Sequence, residues 1–133
     1  MTAEEKYEYW LDIAEYDLES ARTMFTGGRW LYVVFMCQQA IEKLVKGLYI
    51  LYIDDSVPRI HDISEIFKHF EDKLPIVISE EKYTLFDILS GYYLNNRYPE
   101  YRKKLSSQLN EIKAKEILAQ TEEEFKWLLT LHP

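Results

Sequence analysis

Three clusters of side chains in this 133-residue sequence have the types and spacing to hold an anion or move a proton. The first is Gln39, Glu42, Lys43 and Lys46. On a helix, Gln39, Lys43 and Lys46 share one face with Glu42 alongside, because residues three and four apart are neighbours. Two ammonium groups and an amide so placed suit a phosphate or a phosphodiester. The plain structural reading is a solvated face with local ion pairs, each contributing about 0.2–0.5 kcal/mol. The second cluster is His61-Asp62, after a loop and at the start of a predicted helix. An imidazole there suits general acid–base work or a hydrogen bond to phosphate. It equally suits fixing the loop. The third runs from Tyr92 to Lys104, where Arg97, Arg102, Lys103 and Lys104 face the single acid Glu100. Tyrosines, Tyr98 among them, interleave with these cations, a combination that suits bases and phosphates. Its structural alternative is an exposed helix end whose tyrosines pack on the protein.

Other chemistries lack their residues. The sequence has no Gly-rich phosphate loop and no glycine-flanked serine elbow. His61, His69 and His132 lack the i, i+4 partners of a zinc helix, and paired Glu-x-x-His motifs are missing too, so no metal site is assigned. The single cysteine, Cys37, cannot form an internal disulfide and reads as a small buried hydrophobe rather than a reactive thiol.

Positioning these groups falls to a long central helix. From Trp30 to Ile53, residues Trp30, Val34, Cys37, Ile41, Leu44, Leu48 and Leu51 recur at alternating steps of four and three. A second stripe, Leu31, Phe35, Val45, Tyr49 and Tyr52, lies beside it, so the helix must touch at least two neighbours. Gln38, Gln39, Glu42, Lys43 and Lys46 in mid-run exclude a membrane span. Before it, Thr2 and Glu5 form a capping box for a first helix with apolar positions Tyr7, Trp10, Leu11, Ala14, Leu18, Ala21 and Phe25. Asp17, at the edge of that stripe, is either exposed or paired with a cation of the central helix. Gly27-Gly28 stops the helix and forces an antiparallel hairpin.

Farther on, Asp62 and Glu65 open a short third helix with a buried edge of Ile63, Ile66, Phe67 and Phe70. Ser79 caps a fourth helix whose inward face is read as Leu85, Ile88, Leu89 and Tyr92. Gly47 and Gly91 point to tight helix–helix approach. Asn95 to Pro99 ends the fourth helix. A last helical region runs from about Ser107 to Leu131, either continuous or split at a second capping box formed by Thr121 and Glu124. The expected fold is all-α, a four-helix up-and-down bundle with a short additional helix, forming one domain over residues 1–133.

Composition agrees. Hydrophobic residues are 47% and charged residues 29%, the balance of a globular chain, while four glycines and four prolines are too few for an all-β domain. A net charge of −7 disfavours a broad electrostatic hold on nucleic acid but leaves room for a local basic site. The N-terminus has neither the basic start nor the apolar run of a secretory signal, so the expected location is the cytoplasm, with no membrane partner.

Taken together, Tyr16-Asp17-Leu18-Glu19-Ser20-Ala21, Gly28-Arg29-Trp30, the run from Cys37 to Lys46, His61-Asp62-Ile63 and Arg97-Tyr98-Pro99 resemble the HEPN family (higher eukaryotes and prokaryotes nucleotide-binding domain) in order and spacing, to about residue 105. The resemblance implies a helical bundle that pairs into homodimers. It also implies either ribonuclease activity or a nucleotide-related binding role, often beside a minimal nucleotidyltransferase in a two-component, toxin–antitoxin-like pair. Active family ribonucleases carry Arg, four to six residues, then His. Counted from Arg97, those places hold Arg102, Lys103 and Lys104, and the histidine is missing. The expectation is therefore a module without robust catalysis. It would bind a nucleotide or a nucleotidyltransferase partner through Lys43, Lys46, His61, Asp62, Arg97 and Tyr98, with no cofactor. The alternatives are a metal-independent endoribonuclease toxin acting on RNA through His61 and Arg97, and a plain dimerisation module.

Overall fold

The structure, a computed structural model, describes residues 1–94 and 99–133. Its elements are α1 (Ala3–Thr26), α2 (Trp30–Tyr52), α3 (Ile63–Lys68), a 3-10 turn (Glu71–Lys73), α4 (Glu80–Ser90), α5 (Pro99–Ser107) and α6 (Glu111–Leu129). Among the described residues there is no strand, and the all-α bundle expected from the sequence is what forms, with α3 as the short additional helix.

The first helix starts on the expected capping box. The Glu5 backbone N–H donates to Thr2 Oγ1 at 3.1 Å, and the Thr2 N–H donates to Glu5 Oε1 at 3.1 Å. Gly27 caps its end, and Gly28, at φ 72°, takes the left-handed turn that sends the chain back. The α1–α2 hairpin closes on Gly47. A Cβ at that position would lie 3.1 Å from both Trp10 Cβ and Tyr7 Cδ2, so the glycine is there for close approach.

Fifteen of the 23 residues of α2 are buried, far more than one face, and the helix is accordingly surrounded. It packs on α1, α6, α3, α4 and α5. Both apolar stripes contribute: Val34, Cys37, Ile41, Leu44 and Leu48 are fully enclosed, as is Val45. Ile63, Ile66, Phe67 and Phe70 form the buried edge of α3, as their spacing predicts.

The structure corrects the α4 stripe and the role of Gly91, adds a helix and decides that the last helix is continuous. Ile88 is 39% exposed, while Phe86 is fully buried, so the inner stripe of α4 runs Leu85, Phe86, Leu89. That stripe faces both α3 and α2. Helix α4 ends at Ser90, and Gly91 is its C-cap, its own Ile88 and Asp87 carbonyls being what a Cβ would meet. No tight helix approach occurs there. Residues 99–107, for which the sequence predicts no helix, form the separate helix α5, with Pro99 at its first position, where a missing N–H leaves no unmet bond. The last helix is unbroken: Asn110, not Thr121, caps it, its Oδ1 accepting the Lys113 N–H at 2.8 Å. Thr121 is enclosed in mid-helix beside Cys37, whose thiol burial pushes up to about 12. The thiol is a core group, as its place on the apolar stripe implies.

Candidate nucleotide-binding site

The polar run in α2 is not a solvated face. Gln38, Glu42 and Lys46 are buried, with Gln39 and Lys43 half-buried beside them. Being three, four or one residue apart, they bond to one another in a continuous ladder. Glu42 is its hub. Its Oε1 accepts from Gln38 Nε2 at 2.7 Å and faces His61 Nδ1 at 3.0 Å, while Oε2 accepts from Lys46 Nζ at 3.1 Å. Gln38 Oε1 accepts from Gln39 Nε2 at 2.7 Å, and Gln39 Oε1 from Lys43 Nζ at 3.0 Å. Lys43 Nζ also stands 3.6 Å from Asp17 Oδ2 of α1. Of the two readings of Asp17, the pair with a central-helix cation is the one that forms. Burial raises the Asp17 carboxyl, and Lys43 opposes that shift.

Buried polar groups must be paired or they carry their full desolvation penalty, and this ladder pairs all of them. The lysines are therefore committed: Lys46 neutralises Glu42 and Lys43 neutralises Asp17. Two cations against two carboxylates leave no surplus positive charge within α2 and α1 at this point.

The group the ladder presents outward is His61. Its side chain is 45% exposed while Glu42 is 2% exposed, so the imidazole sits at the mouth of the buried network. A neutral ring that donates Nδ1–H to Glu42 carries its lone pair on Nε2. Tyr93 stacks on the other side, ring centroids 3.7 Å apart and planes within 12°. The aromatic contacts continue from Tyr93 to Phe35 at 6.2 Å, from Phe35 to Tyr32 at 6.5 Å, and from Tyr32 to the Arg102 guanidinium at 5.7 Å. These rings are half-buried. An aromatic wall thus links the imidazole to α5, where Arg102, Lys103 and Lys104 are exposed.

Two hydroxyls fix the segment that follows His61. Ser90 Oγ accepts the Ile63 N–H at 3.0 Å, and Ser64 donates to Asp87 at 2.6 Å, pinning the start of α3 to α4. Asp62 Oδ1 accepts the Glu65 N–H at 3.1 Å, so this carboxylate is the helix cap that its spacing predicts.

Of the six residues expected to form the site, Lys46 and His61 meet on Glu42, Lys43 joins through the glutamines, and Asp62 turns to its cap. Arg97 and Tyr98 lie outside the described residues. Missed from the sequence were Glu42 as the hub and Tyr32, Phe35 and Tyr93 as the wall. The i, i+4 spacing of Gln38, Glu42 and Lys46 carried the first signal; the second depends on a contact between α2 and a residue more than fifty positions away.

Comparison with known proteins fits this architecture. No curated protein matches the chain. Among solved structures, TT1696 from Thermus thermophilus superposes with a TM-score of 0.78 at 21% identity, over 94% of this chain and 97% of that one. ST0689, an archaeal HEPN homologue, superposes with a TM-score of 0.72 at 26% identity, over 96% of this chain and 98% of that one. The HEPN domain model matches residues 7–131, nearly the whole sequence, and the chain belongs to the HEPN domain family.

Proposed function

We propose that this chain is a helical nucleotide- or RNA-binding module whose ligand lies against His61 and the Tyr93–Phe35–Tyr32 wall. The observation that carries the reading is the half-exposed imidazole, held by a buried carboxylate on one nitrogen and stacked on Tyr93. Stacking of bases on aromatic rings is sequence-tolerant and contributes about 1–3 kcal/mol per base. The cations of α5, with Arg97, supply phosphate contacts, and Lys43 and Lys46 act by holding the ladder rather than by touching the ligand. Family membership supports a homodimer and, as a partner, a minimal nucleotidyltransferase subunit in a toxin–antitoxin-like pair within the cytoplasm. Among the described residues no helix is long and apolar enough to cross a membrane. Calorimetric titration with ATP and with a short single-stranded RNA tests the site. Tyr93→Ala and His61→Ala are expected to weaken binding about tenfold each; wild-type affinity in both variants would overturn it.

One observation favours a second reading, an endoribonuclease. A histidine whose Nδ1–H is held by a buried carboxylate presents Nε2 as a general base, the orientation used for proton transfer. The missing family histidine after Arg97 would then be replaced by His61. Incubation with labelled RNA decides between binding and cleavage: cleavage lost in both His61→Ala and Arg97→Ala supports this reading, and cleavage surviving either substitution removes it.

A further inference from the structure

A second cavity, of about 500 Å³, opens between the first turns of α1, the end of α2 and the segment 55–59 that leads toward His61. Lys6, Tyr9 and Trp10 of α1 line one side, and being three and four residues apart from Lys6 the two aromatics share its face of the helix. Tyr9 is 61% exposed and Trp10 half-buried, and no described ring stacks on either. Ile50 of α2 lines the cavity too. It continues the stripe of Gln39, Lys43 and Lys46 by one turn, so the face that carries the polar ladder runs on into this cavity.

Of the two lining cations named by their side chains, one is committed. Lys6 Nζ stands 2.5 Å from Asp55 Oδ2. Arg59 is exposed, lines the cavity, and has no described carboxylate in ion-pair range. It precedes His61 by two residues, so the two Cα atoms are at most about 7 Å apart. One uncommitted guanidinium thus adjoins two aromatic sites: Tyr9 with Trp10 in the cavity, and His61 stacked on Tyr93.

From this arrangement we infer that the cavity receives a second nucleotide of a strand whose first nucleotide lies on His61 and Tyr93. The inference rests on the reading of the His61 site given above. The second base lies against Tyr9 and Trp10, whose exposed ring surface suits stacking. The phosphodiester between the two nucleotides meets Arg59, whose planar fork of donors matches its oxygens. A free mononucleotide fills only one of the two aromatic sites, and inorganic phosphate fills neither. The ligand class is therefore single-stranded RNA of at least two nucleotides.

Heteronuclear NMR titration with the dinucleotide ApA, two bases joined by one phosphodiester, tests the inference against AMP. The Trp10 indole and the His61 ring are expected to shift with a common midpoint in ApA, and ApA to bind at least about tenfold more tightly than AMP. Arg59→Ala and Tyr9→Ala, both at exposed positions, are expected to remove that advantage while leaving the circular dichroism spectrum unchanged. The two readings fail separately. A silent Trp10 indole beside a shifting His61 ring overturns the second subsite alone. Shifts at Trp10 beside a silent His61 ring support a nucleotide in the cavity and overturn the His61 reading. Equal affinity for AMP and ApA, or wild-type ApA binding in Arg59→Ala, overturns the strand that joins them.

Discussion

Glu42 accepts from an amide and an ammonium and holds an imidazole, all from inside the bundle. Removing its charge would strand Lys46, 9% exposed at the side chain, without a counter-ion. Breaking a buried pair from one side costs about 3–5 kcal/mol, whereas replacing both partners costs much less. Glu42→Gln is therefore expected to lose about 3 kcal/mol in urea unfolding, and the double variant Glu42→Gln, Lys46→Met to recover most of it; equal losses in both would show that the pair is not the hub. Glu124 behaves oppositely. Its folded pKa, about 7, is raised above the ordinary 4.5 by burial, so the stability it allows is full below pH 4.5 and is lost as pH rises through 7. Glu124→Gln is expected to remove that loss, raising stability at pH 8 by about 1–2 kcal/mol with little change at pH 4. Thermal unfolding across that range measures it, and a parallel pair of curves would refute it. At this scale the sequence displayed the residue types and their i, i+4 spacing. It could not show which carboxylates are enclosed, because that depends on the helices laid over them.

Helix starts, stripes and stops follow from local physics, and they were legible wherever local physics was undivided. Thr2 and Asp62 bond as capping residues because the side chain and the orphan N–H lie within one turn. Thr121 and Glu124 have the same spacing, yet α6 runs through them, since both are enclosed by the bundle and no chain break precedes them. The pattern of a capping box also fits a helix interior, and only packing separates the two. Ile88 and Phe86 were exchanged for a similar reason: a stripe boundary moves when a helix faces two neighbours rather than one. Gly47 was read correctly as a point of close approach. Gly47→Ala gains about 1 kcal/mol of helix propensity but sets a methyl 3.1 Å from Trp10 Cβ, which moves only with the α1 backbone. The expected outcome is a net loss of about 1 kcal/mol and a melting temperature lower by several degrees; a rise would mean that α1 shifts freely.

Across the whole molecule, an acidic chain of net charge −7 sets three exposed cations on α5, at one end of an aromatic wall that reaches His61. The sequence by itself determined the helical class, the central helix and the family, because these rest on periodicity, composition and the order of short motifs. It also singled out His61. Only the tertiary structure decided what each polar group does. Lysines that in isolation suit a phosphate are consumed by Asp17 and Glu42, and aromatic residues distant in the chain are brought onto a single surface. The physical reason is that a charge is defined by its surroundings: desolvation and pairing arise between segments distant in the chain, and neither is written in the spacing of residues along it.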